Sequence, residues 1–207
     1  MEAIVLKKGE PIHLSKDHGL THVNVELTFD VDRVKFPHAH EMDIGVSAFC
    51  LRNVDGKPAA PLGPDGSADS AAFVFYGNRS FLNGAVTHDA DGGSIGDDKM
   101  HIDFTKLLAN QEGVVEVSIV AEIYEGLLKN HHFGMVNHCT VHITNADTNE
   151  VIAEFPLSDQ DSENSAVQMG SFTLGGGHVA FTAVGKGYDK GLADFLRFYG
   201  WEVADDE

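Results

Sequence analysis

The chain has 207 residues, 43% hydrophobic and 22% charged, so it can bury a real core, and its length suits one domain spanning 1–207. Acidic residues outnumber basic ones 32 to 14, and the resulting charge of −18 sets the surface against nucleic acid and anionic lipid while favouring cations. No apolar run reaches the roughly eighteen residues that span a bilayer, and residues 1–8 lack the apolar core of a secretion signal, so the expectation is a cytoplasmic protein with no transmembrane segment.

In chain order, residues 22–29 alternate strictly and put Val23, Val25, Leu27 and Phe29 on one face, as a half-buried strand requires. Residues 47–51 and 73–76 also read as strands; between them 58–70, rich in Pro, Gly, Ala and Asp, have little to bury and read as a mobile surface loop. Residues 103–108 close a strand and open a helical turn. Further strands follow at 114–124, 139–144, 151–155, 167–174 and 178–184, the last two joined by Gly175-Gly176-Gly177 as a hairpin. Residues 190–201 carry Leu192, Phe195, Leu196 and Tyr199 on one helical face, and 204–207 read as a frayed acidic tail. The predicted fold is mainly β, a β-sandwich of two antiparallel sheets with a short C-terminal helix.

Chemistry concentrates in residues 88–98, where Asp89, Asp91, Asp97 and Asp98 stand among glycines. Bare, these carboxylates repel one another, whereas calcium takes six to eight oxygens in irregular geometry and glycines let backbone carbonyls join in. A solvated acidic turn between two strands is the alternative. The loop is not an EF-hand, because the glycine of Asp89-x-Asp91-Gly92 falls at the fourth position and the flanks read as strands. Residues 185–191 lack dinucleotide spacing and read as a strand-to-helix turn. Twelve histidines, His38-x-His40 and His131-His132 among them, could hold zinc or nickel, but most fall on turns or outward strand positions and read as titrating surface residues. Cys50 and Cys139 sit in strand-like segments and read as buried reduced thiols. No arrangement of catalytic nucleophiles stands out.

Several motifs occur together in order. Leu6-Lys7-Lys8-Gly9-Glu10 with Leu14-Ser15-Lys16 looks like an opening strand pair, and residues 42–49, MDIGVSAF, are similar to F-D-L-D-A-S-A-F. Residues 73–78, FVFYGN, match F-V-F-Y-N-N; residues 84–88, GAVTH, match G-A-V-E-H; and Gly96-Asp97-Asp98 matches G-D-D-E. Phe133 to Val136, Glu163 to Ala166 and Ala183 to Tyr188 continue the match. The chain thus resembles the TerD-type tellurium-resistance family of bacterial calcium-binding stress proteins.

That resemblance implies a β-sandwich with calcium in acidic loops at one end and a cytoplasmic, non-enzymatic role in resistance to tellurite and other stresses, possible partners being other stress-resistance proteins. Carried over by position, the metal ligands are Asp43, Asn78, Asp97 and Asp98, with Asp89, Asp91 and Glu163 as adjacent oxygen donors. Gly45 stands where the family has its second Asp, Gly77 where it has its first Asn, and residues after His88 are missing from the family's insertion, so one calcium site is expected to be weakened or lost. The family's H-D-A becomes Tyr124-Glu125-Gly126. The rival reading is a metallochaperone or redox enzyme that handles tellurite or soft metals through Cys50, Cys139 and the histidines.

Overall fold

A computed structural model describes residues 3–39, 42–89, 98–157, 163–188 and 190–203. Its strands are β1 (Ile4–Val5), β2 (Pro11–Ile12), β3 (His22–Val31), β4 (Ile44–Val54), β5 (Lys57–Ala59), β6 (Phe73–Val74) and β7 (Ser80–Phe81), then β8 (Val86–Asp89), β9 (Lys99–Asp103), β10 (Val114–Ile123), β11 (Val136–Asn145), β12 (Val151–Pro156), β13 (Ala166–Gly175) and β14 (His178–Tyr188). Short helices are α1 (Leu14–Asp17), α2 (Phe104–Leu108), α3 (Gly126–Lys129) and α4 (Leu192–Tyr199). None of the described helices is long and apolar enough to cross a membrane.

The strands form two sheets, one ordered β1-β12-β11-β3-β9-β8-β7 and the other β2-β14-β13-β10-β4-β5, with β6 also paired to β4. Every pairing among the described residues is antiparallel except the edge pair β1–β12, which is parallel. The sequence periodicity has its cause here: Val23, Val25 and Leu27 of β3 are buried, and they join Met100 and Ile102 of β9 and Ile119 of β10 in one core. The central strands β4, β10 and β13 are buried almost along their length, since both faces of a central strand are covered. The β13–β14 turn has Gly176 at φ +58° and Gly177 at φ +77°, the two positive values that a two-residue hairpin turn needs.

Four local readings are corrected. Leu14-Ser15-Lys16 forms a helical turn rather than a strand, with the Ser15 hydroxyl accepting the Val179 N–H at 2.8 Å. The strand at 73–76 stops at Val74, because the Asn78 side-chain amide donates to the carbonyls of Ala71 (3.0 Å) and Phe73 (2.7 Å) and turns the chain away. The 58–70 segment is tethered: Ala60 and Pro61 are buried, Ala60 N–H donates to the Tyr199 carbonyl (2.8 Å), and the Trp201 indole donates to the Asp69 carbonyl (3.1 Å). Residues 185–188 continue β14 instead of starting a turn.

The predicted C-terminal helix is α4, with Phe195 and Tyr199 buried. It covers Phe49 of β4, whose ring also meets Phe73 and Trp201. Fully burying a side chain of this kind contributes about 1.5–3 kcal/mol, and this aromatic cluster links the chain's end to the strand that begins beside the candidate site.

Candidate functional site

The site forms where β4 and β10 of one sheet meet β8 and β9 of the other. Asp43 immediately precedes β4, and its carbonyl accepts the Tyr124 N–H at 2.9 Å, which fixes it at the end of the β4–β10 ladder. Asp98 immediately precedes β9. A Cβ placed on Gly45 would lie 3.1 Å from Asp98 Oδ2, so Asp98 lies directly over that point of β4. Gly45 does not have the left-handed φ that would require glycine. Its lack of a side chain leaves room for Asp98.

Three further groups surround Asp98. His88 of β8 is buried and its Nε2 lies 3.6 Å from Asp98 Oδ2, while its Nδ1 has no hydrogen-bond partner among the described residues. Glu122 of β10 is the register partner of Gly45, and Ser47 Oγ donates to its Oε1 at 3.3 Å. Burial first, then the negative charge of Asp98, raise the Glu122 pKa to about 7, against the lowering effects of Ser47 and His88. Asp43 is likewise held above the usual carboxylate range by burial and then by Asp98, with Lys129 acting in the opposite direction. Like charges thus face one another at the edge of the core.

The other predicted ligands are placed differently. Asn78 uses its amide N–H groups to clamp the turn at 70–73. Gly77 leaves room for the Phe75 ring there, since a Cβ would lie 2.7 Å from it unless the ring shifted. Asp89 is exposed at the end of β8, opposite Lys99. Glu163 is exposed two residues before Ser165, whose carbonyl accepts the Ile123 N–H at 2.8 Å. Asp91 and Asp97 lie outside the described residues. Among the described residues, no three His, Cys, Asp or Glu side chains converge into a group that could hold a metal ion by themselves.

Among the described residues, two histidines depart from the surface reading, His88 and His131 being only 4% and 6% exposed. His131 has its pKa lowered by burial and then by the nearby Lys129, His38 and His132, so the fold favours its neutral form. His38 and His132 pack edge-on against Phe36. Both cysteines are buried, as expected, and burial pushes the Cys139 thiol up to about 12 and the Cys50 thiol higher still. Sequence reading missed Glu122 and Ser47; the available signal was a glutamate directly after the apolar run Ile119-Val120-Ala121 of β10.

Residues 2–199 match the TerD domain. The chain belongs to the TerD family. It is 31% identical to general stress protein 16U of Bacillus subtilis, with 97% of this chain and 98% of the relative aligned. It is 30% identical to tellurium resistance protein TerD of Serratia marcescens, with 96% and 97% aligned. A solved homologue of telluride resistance protein TerD from Streptomyces coelicolor shares the fold at a TM-score of 0.57 and 17% identity, covering 86% of this chain and 95% of that one. In this TerD-family chain, Asp43 and Asp98 are the two predicted ligands among the described residues that the fold brings to one place.

Proposed function

We propose that this TerD-family protein acts by binding calcium rather than by catalysis, as a cytoplasmic stress-response component whose acidic surface suits basic partners such as other stress-resistance proteins. The observation that carries the reading is the placement of Asp98 beside Asp43 and Glu122, whose carboxyls its negative charge helps to hold above the usual range. Their oxygens suit a hard cation, which also accepts backbone carbonyls and water and so does not need every ligand to be a carboxylate. Asp43 and Asp98 would hold the ion, with Asp91 and Asp97 of the neighbouring acidic sequence as further donors. When bound, the ion would neutralise this repulsion at the end of the sandwich. The rival thiol chemistry is disfavoured by the burial of both cysteines.

The test is the melting temperature of chelator-treated protein with and without added ions. Calcium at a hundredfold excess over its dissociation constant adds about 2.7 kcal/mol to the folded state. Magnesium, which insists on tight octahedral geometry, adds much less. The gain reverses with chelator. Identical melting with and without millimolar calcium would refute the proposal.

A further inference from the structure

We propose that the cavity between the two sheets beneath residues 5–8 binds a small amphiphilic monocarboxylate, its apolar body held between the sheets and its head met by Lys7 and Lys8. The cavity lies toward the β1 and β2 edges, shares no residue with the cation site and does not rest on the calcium reading.

Hydrogen bonds to both sheets build its cover. Leu6 N–H donates to the Glu154 carbonyl of β12 (2.8 Å) and Gly9 N–H to the Ala183 carbonyl of β14 (2.7 Å), so the segment between them bridges the sheets. Beneath it lies a cavity of about 300 Å³, at the small end of the range for ligand pockets. Phe155 and Leu157 at the end of β12, Val136 and Cys139 of β11 and Val167 of β13 form its walls. Gly185 of β14 also lines it, at φ +58°, and a Cβ there would point at Leu157 and lie 3.1 Å from the Phe155 ring. Close-packed interiors leave few voids larger than a water molecule, and a space with apolar walls suits an apolar guest better than solvent.

Charge selects the head. Acidic residues outnumber basic ones 32 to 14 in the chain, yet two consecutive lysines and no carboxylate line this cavity. Lys8 Nζ donates to the Gly185 carbonyl at 2.8 Å, which fixes the ammonium beside the cavity without neutralising it. Among the described residues neither lysine is ion-paired. The acids of the flanking segments have other partners: Glu10 Oε2 accepts the Lys7 backbone N–H at 3.0 Å, and Glu154 pairs with His142 at 3.2 Å. Two ammonium groups beside an apolar cavity match a carboxylate on an apolar body. A monoanion is favoured over a dianion, because the net charge of −18 repels the second charge as well as the first.

Octanoate is the probe, with octylammonium as its counterpart of opposite charge, each titrated calorimetrically into the full chain near neutral pH. Octanoate should bind with a millimolar or lower dissociation constant, and octylammonium about tenfold more weakly or worse. Methyl NMR should locate octanoate by shifts at Val136, Leu157 and Val167, with Val86 of β8 unmoved. Replacing both exposed lysines, Lys7→Gln with Lys8→Gln, should weaken octanoate about tenfold without weakening octylammonium. Val167→Phe fills the cavity and should abolish octanoate binding, its melting curve reporting whether it is folded. Absence of octanoate binding, equal affinity for octylammonium, or shifts confined to other methyls would overturn the proposal. So would undiminished binding by the double lysine variant or by a cooperatively folded Val167→Phe.

Discussion

Replacing Gly45 by Asp places a carboxyl group on β4 opposite Glu122 and against Asp98. The backbone permits it, because Gly45 is in a strand and outside the left-handed region. The new Cβ at 3.1 Å from Asp98 Oδ2 requires that carboxylate to yield by a few tenths of an ångström, which a side chain 31% exposed can do. Two carboxylates about 4 Å apart repel by about 1 kcal/mol in water and about 4 kcal/mol at an effective dielectric constant near 20. The partial exposure of Asp98 favours the lower half of that range, about 2 kcal/mol. For a chain of this size, that loss lowers the melting temperature of the calcium-free variant by about 4–8 °C. With calcium present most of that loss is recovered: a tenfold tighter site adds about 1.4 kcal/mol, and the gap between the calcium-loaded and stripped forms widens by about 3–6 °C. Differential scanning fluorimetry in chelator and in millimolar calcium measures both. A stripped variant that melts like the unmodified protein, or a gap that fails to widen, would refute the placement of position 45 at the cation site.

Acid–base titration and thiol labelling test the neighbouring groups. In the calcium-free protein, Glu122 titrates at about 7 in the fold against 4.5 ordinarily, so between those values the folded state keeps a proton that the unfolded chain has lost. The stabilisation from protonated Glu122 is therefore full below pH 4.5 and lost as pH rises to about 7, at most about 3 kcal/mol. Chelated Glu122→Gln lacks this slope, so its melting advantage over the unmodified chain should grow from pH 4.5 to 7, and parallel pH profiles would contradict the burial of Glu122. Cys50 and Cys139 should react with a thiol reagent in the native protein only as fast as the fold opens. Rapid labelling of both would favour redox or soft-metal chemistry.

Much of the strand architecture was legible because a half-buried strand imposes a period of two on its own residues. The alternation of 22–29 became β3, the glycine hairpin joined β13 to β14, and the 3–4 spacing of Leu192, Phe195, Leu196 and Tyr199 became α4. Local signals erred where the deciding partner was distant. The 58–70 segment reads as a free loop, yet it is held by Tyr199 and Trp201 from the far end of the chain. Residues 73–76 have strand composition, but the Asn78 side chain ends the strand after two residues.

The candidate site divides in the same way. The acidic segment, the ordered motifs and the departure at Gly45 are properties of the sequence, and the motifs were sufficient to indicate family and fold class. Which carboxylates meet was decided by the tertiary structure. Asp98 reaches Gly45 only because the segment opening β9 in one sheet passes over β4 in the other, and Glu122 joins them only through the β4–β10 register. A one-residue slip in that register would turn Glu122 to the opposite face. Burial of His88 is equally nonlocal, since its strand carries no signal that a second sheet will cover the ring. Sequence periodicity reports which face of a strand avoids water, whereas the charges that a buried side chain meets depend on how the sheets pack.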